Sequence, residues 1–314
     1  MIFYEITKVY FNYMNPKRIV VHLSGGLGNQ LFQITTGMAL AKSIDKNLAI
    51  NSNLYLNPIL RGKINPNYKR KRKFEAINFL EVAQLPRDKF PTPINGRFER
   101  YLENLSEIQK RKLGVATESS FSESGWSNPE KIRRLVGHFI SPEYFSNIDS
   151  SLLFKELNLP LSPWSNLILK EIQHKETIGI HIRLGDYLFQ DNIIVPNENY
   201  YLNALEHLQD LLGFNSNILI FSDEPNKVEN LFPILYQKAK VLYPDSGVTV
   251  AENLFLLSKC SAFVCSNSTF SWWAANLSKV QPSHIVAPRV FFVNNKKTDF
   301  NEKLWWKDST LINP

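Results

Sequence analysis

The chain has 314 residues, 44% hydrophobic and 21% charged, a balance that suits a globular protein of about two 150-residue domains. A net charge of +7 favours anionic partners, while no apolar run reaches the roughly 18 residues of a membrane span. Two cysteines, Cys260 and Cys265, are too few for a zinc site and read as buried thiols of a reducing compartment.

The first residues have no signal-peptide layout, because Glu5 and Lys8 interrupt the apolar part, so a cytoplasmic protein is expected. Arg18 to Leu23 reads as a buried parallel strand, followed by the glycine-rich turn "SGGLGN", a helix with Leu31, Ile34, Met38 and Ala41 at helical spacing, and the strand "NLAIN". From Asn57 to Trp126 the pattern is irregular. It includes the run Lys69 to Lys73, which is either a solvated loop or a docking point for anionic lipid headgroups at the membrane's inner face. No nucleic-acid-binding motif accompanies this charge. "LVGHFISPEYF" is a strand and turn, and "NLPLSPWS" a linker or helix start.

Beyond it, strands and helices alternate: "TIGIHIR", "NENYYLNALEHLQDLL", "NILIFSD", "AKVLYP", "TVAENLFLLSKC", "AFVCSN", "STFSWWAANLSK" and "SHIVAP". This order predicts a doubly wound parallel sheet, with ligand sites at the carboxyl ends of the strands.

Three stretches carry chemistry. The opening turn fails the dinucleotide spacing G-x-G-x-x-G, because counting from Gly26 through Gly28 brings Leu31 to the third glycine position. It is either a structural turn or a helix N-terminus at which backbone N–H groups and the Asn29 amide meet a negative charge. In "GIHIRLGDY", His181 and Arg183 lie two apart and would project from one face of a strand. Arg183 suits a bidentate grip on phosphate, and the rival reading is a structural Arg–Asp pair with a satisfied histidine. In "VCSNSTFSWW", Ser266, Asn267, Ser268 and Thr269 either cap a helix or hold a pyrophosphate, while Trp272 and Trp273 read as packing.

"GGLGNQLFQ", "HIRLGDY" and "SNSTFSWWAA", with "GHFISPEYF" before the second, occur in the order seen in glycosyltransferase family 11, the α-1,2-fucosyltransferases. The chain resembles that family from Arg18 to about Pro288. The resemblance implies an α/β GT-B fold, two Rossmann-like domains facing a central cleft. Residues 1–160 would form the acceptor side and 161–314 the GDP-sugar side. It implies GDP-fucose as donor, no cofactor or metal, and inverting transfer of L-fucose to the 2-OH of a terminal β-galactoside, the acceptor a surface glycan or oligosaccharide, free or lipid-linked. For such a donor Asp223, ending "LIFSD", could accept the guanine N–H groups, its rival role being a helix cap, and Glu252 could hold the ribose or face solvent. Arg183 matches the first arginine of the family's H-x-R-R-x-D and would bind the pyrophosphate, with His181 and Asp186 at its ends. Leu184 stands where the family has its second arginine. Asp186 is the first choice of general base, ahead of Glu143 and His138, and Asn29 would reach the sugar–phosphate linkage. Two rival readings remain: a transferase of the same fold using another nucleotide sugar, and a catalytically silent glycan-binding protein.

Overall fold

The computed structural model describes residues 17–56, 73–88, 105–213, 215–293 and 304–314. The N-terminal residues up to 16, most of the basic run and much of the irregular stretch lie outside the described residues.

The chain forms two compact units. In the first, β1 (Arg18–His22) runs through the glycine turn into α1 (Leu27–Ser43), and β2 (Asn47–Asn51) returns parallel to β1. Then come β3 (Val115–Ala116), the short antiparallel hairpin β4 (Phe121–Ser122) and β5 (Gly125–Trp126), and β6 (Arg134–Val136). The main sheet has order β2-β1-β6-β3 and is parallel throughout. Its central strand β1 is buried from Ile19 to His22, which explains the apolar, β-branched run. Helix α1 is buried on nearly all sides, so its polar residues Gln30, Gln33, Thr35 and Thr36 lie in the interior. Gly37 permits this packing, since a Cβ there would lie 2.3 Å from a Val21 methyl.

Past residue 160 the second unit contains α2 (Pro163–His174), β7 (Thr177–Ile182), α3 (Glu198–Leu212), β8 (Asn217–Ser222), β9 (Lys240–Val241), α4 (Val250–Leu257), β10 (Ala262–Val264), α5 (Thr269–Ser278), β11 (Ile285–Pro288) and β12 (Thr310–Ile312). Its six strands are parallel in the order β12-β11-β10-β7-β8-β9. The expected α/β architecture with parallel sheets is present in both units. "NLPLSPWS" contains a helix start: Ser162 caps α2 by accepting the Ser165 N–H, and Pro163 takes the first helical position. Trp272 and Trp273 are core residues. Cys260 and Cys265 are buried free thiols, and burial holds both protonated by raising their pKa.

The contacts divide the chain between Ile148 and Asp149, ahead of the expected boundary after residue 160. Ser150 bonds Asn276 of α5, and the Phe154 ring lies 5.5 Å from that of Trp273. Glu75–Ala83 also belongs to the second unit: Leu80 donates its N–H to the Glu156 carbonyl, and the Phe79 and Phe154 rings are 5.6 Å apart.

Candidate active site

In the first unit the chain leaves β1 and reverses at Gly25, whose φ of +75° is a conformation glycine adopts without strain. A Cβ at Gly25 would lie 2.6 Å from the Asn29 amide nitrogen, so the Asn29 side chain folds back over that turn. Gly26 is the N-cap of α1 and offers no side-chain cap, while Gly28 is buried in the first helical turn. The turn is held by buried glutamines. Gln33 accepts the Ser24 N–H at 3.0 Å and donates to the Gly137 carbonyl at 2.8 Å. Gln30 donates to the Gly25 and Lys73 carbonyls, and the Tyr55 hydroxyl also donates to Gly25. The glycines therefore give the turn its shape, and Asn29 is the half-buried polar side chain on it. Beneath lies a network that the sequence did not announce: Arg134 pairs with Asp88 at 2.8 Å and sits 2.9 Å from His22.

His138 and Glu143 are both exposed, on the segment after β6.

In the second unit β7 ends at Ile182, and its two motif side chains part company. Sheet order puts β10 on one side of β7 and β8 on the other. His181 turns towards β10, with Nδ1 at 2.8 Å from Ser266 Oγ and 2.6 Å from Ser271 Oγ. It is buried, and desolvation, helped by Arg183, lowers its pKa to about 3, so the ring is neutral. His181 is thus the satisfied histidine of the rival sequence reading, and its imidazole ties β7 to the β10–α5 turn.

Arg183 turns towards β8. Its Nη1 pairs with Asp223 at 2.8 Å, its Nη2 with Asp186, and its guanidinium carbon lies 5.2 Å from the Tyr187 ring centre. The Arg183 side chain keeps 15% of its surface exposed, so it is sheltered but reachable. Asp223 also accepts the Leu184 N–H at 2.9 Å, and Asp186 accepts from Gln190. Asp223 is therefore committed to Arg183 and the backbone, a use that neither the guanine nor the capping expectation foresaw. Leu184 is fully buried in the apolar core with Ile182 and Tyr200, so a second guanidinium here would have to be desolvated.

The late motif splits in the same way. Ser266 bonds His181, and Asn267 donates to the carbonyls of Ile194 and Val290. Ser268 caps α5 by accepting the Phe270 N–H. Thr269, at the first helical position, is half-buried. Glu252 neither faces solvent nor stands open to a ribose. It is buried and accepts the N–H groups of Thr249 at 2.8 Å and Ser162 at 2.7 Å, which closes the N-termini of α4 and α2 together. Burial opposes its charge, but these hydrogen bonds prevail and lower its pKa. Ser271 was missed as a partner of His181; it opens the "SWW" run on the buried side of α5.

Residues 145–306 match the profile of Glycosyl transferase family 11, more than half of the chain. The chain belongs to glycosyltransferase family 11. It is 26% identical over 311 residues to the O-antigen biosynthesis glycosyltransferase WbnK of Escherichia coli, covering 90% of this chain and 98% of the relative. An alpha-1,2-colitosyltransferase of Escherichia coli is also 26% identical, covering 90% and 95%. A galactoside 2-alpha-L-fucosyltransferase of Caenorhabditis elegans is 23% identical, covering 87% of this chain and 71% of the relative. Among solved structures, the fucosyltransferase NodZ from Bradyrhizobium aligns with a TM-score of 0.48 at 15% identity, over 82% of this chain and 92% of that one. Among the described residues no helix is long and apolar enough to cross a membrane, and no group of three or more His, Cys, Asp or Glu is placed to hold a metal ion.

Proposed function

We propose that this family 11 glycosyltransferase moves L-fucose from GDP-fucose to the 2-OH of a terminal β-galactoside, in one inverting displacement without a metal. The observation that carries the reading is Arg183, poised at the carboxyl end of β7 between two carboxylates and still accessible. As the sugar–phosphate bond breaks, charge develops on the departing diphosphate. A guanidinium already oriented by Asp223 and Asp186 stabilises it without reorganisation. The N-terminus of α5 adds backbone dipoles of the same sign. The acceptor proton passes to a general base, a role for which Asp186, Glu143 and His138 are the candidates. The relatives support this chemistry: one is named for 2-fucosyl transfer to galactosides and another for O-antigen synthesis.

The alpha-1,2-colitosyltransferase favours a second reading, the same linkage with colitose as the sugar. Incubating the chain with GDP-fucose or a colitose donor and galactose-terminated glycans, with and without EDTA, separates the two. The expected product is an α-1,2-fucoside formed equally with EDTA. A colitoside alone would establish the second reading, and loss of product with EDTA would end the metal-free mechanism. Arg183→Ala should lower turnover by roughly 10²–10³-fold while the protein stays folded, the cost of losing one preorganised donor. Retention of a tenth of the activity would remove Arg183 from this role.

A further inference from the structure

Glu118 holds a position that the reaction above does not use. Its side chain is exposed, yet Oε1 accepts two backbone N–H groups, from His138 at 2.6 Å and Phe139 at 3.1 Å. Gly137 leaves room for the carboxylate, since a Cβ there would lie 2.4 Å from Oε2. No donor among the described residues reaches Oε2. Phe139, the residue so held, has a φ of +53° with its ring fully buried. A bulky side chain rarely takes that conformation, and such outliers gather where a ligand is held.

The Phe139 ring lies 5.9 Å from that of Trp126 and 5.4 Å from that of Tyr144, and Phe121 completes the aromatic cluster. Trp126 and Tyr144 are half-buried, so part of this cluster reaches the surface near a fixed carboxylate. The hairpin beside it carries the exposed hydroxyls of Ser122 and Ser124.

We propose that Glu118, Trp126 and Tyr144 form a subsite for one neutral pyranose ring of the acceptor. The apolar C–H face of the sugar lies on Trp126, and a ring hydroxyl donates to Glu118 Oε2. An aromatic surface with one fixed acceptor and a hydroxyl rim matches a ring that is apolar on its faces and polar at its edge. This proposal rests on the glycosyltransferase reading.

Two variants test it. In Glu118→Gln the amide oxygen can still accept the two N–H groups, but a donor replaces Oε2. Trp126→Phe keeps an aromatic ring against Phe121 and shortens the stacking face. With GDP-fucose and lactose, each should raise the KM for lactose by about tenfold or more, with the KM for GDP-fucose and the thermal midpoint unchanged. A folded Glu118→Gln with an unchanged lactose KM overturns the proposal, as does an equal rise in both KM values. Saturation-transfer NMR without donor, using a panel of neutral galactose-, glucose- and N-acetylglucosamine-terminated disaccharides with choline as a cation control, keeps the subsite separate from the donor assignment. Transfer to a sugar that Glu118→Gln abolishes supports the subsite even if GDP-fucose is not turned over. Transfer to choline alone, or to nothing, overturns it.

Discussion

His181 and His22 show how much a single polar side chain depends on what covers it. Both are buried, and desolvation, reinforced by Arg183 and Arg134 respectively, lowers each pKa from 6.5 to about 3. The folded rings stay neutral while the unfolded chain takes up a proton below its ordinary pKa. Each therefore contributes stability that is complete above pH 6.5 and is lost as pH falls towards about 3. At about pH 5 the loss is roughly 2 kcal/mol per ring, a fall of about 4–8 °C in the midpoint. His181→Asn should show a visibly smaller drop in midpoint between neutral and mildly acidic buffer than the parent. Parallel pH curves would show that His181 is not the titrating group. Asp186 belongs to the same scale. Its pairing with Arg183 suits a positioning residue, and in that role Asp186→Asn should raise the donor KM and leave kcat within about tenfold. Loss of a general base would instead lower kcat by about 10²–10⁴ at unchanged KM.

Individual helices and strands follow local rules closely, and their ends show where those rules stop. Helices α2, α3 and α4 all begin at a Ser, Asn or Thr whose side chain accepts an N–H of the first turn. Such starts are legible in sequence, as are buried strands such as β7. The fold used short elements too: β9 has two residues where "AKVLYP" suggests more, and the β4–β5 hairpin gave no alternating signal. Glu252 is the sharpest case, because its second capping partner, Ser162, is 90 residues away. Glu252→Ala should remove about 1 kcal/mol per cap, or about 2 kcal/mol in all, and lower the midpoint by about 4–8 °C. GDP binding, measured by calorimetry, should survive. A variant with normal stability and lost GDP affinity would restore the ribose role.

At the scale of the whole molecule, the course of the chain through its two units decides which residues answer to which sheet. Phe79 is fully buried against Phe154 although it lies in the N-terminal half of the sequence. Phe79→Ala should cost about 3–5 kcal/mol. Hydrogen exchange should then speed up in β7 and β10 while β1 and β2 keep their protection. Earlier loss in β1 and β2 would contradict the assignment of Glu75–Ala83 to the second unit.

The amino-acid order determined the α/β class, the β1–turn–α1 unit, the alternation after residue 160 and the three motifs, because periodicity and capping are set by neighbours a few residues away. The partners of the motif side chains were decided only by the tertiary structure. Arg183 meets Asp223, and His181 meets Ser266, because β7 lies between β8 and β10. A strand order is fixed by the joint burial of all the strands and by their crossovers, which no short stretch of sequence encodes. The same holds for Glu118, an unremarked acid in an irregular stretch until folding places it against Gly137 and Phe139.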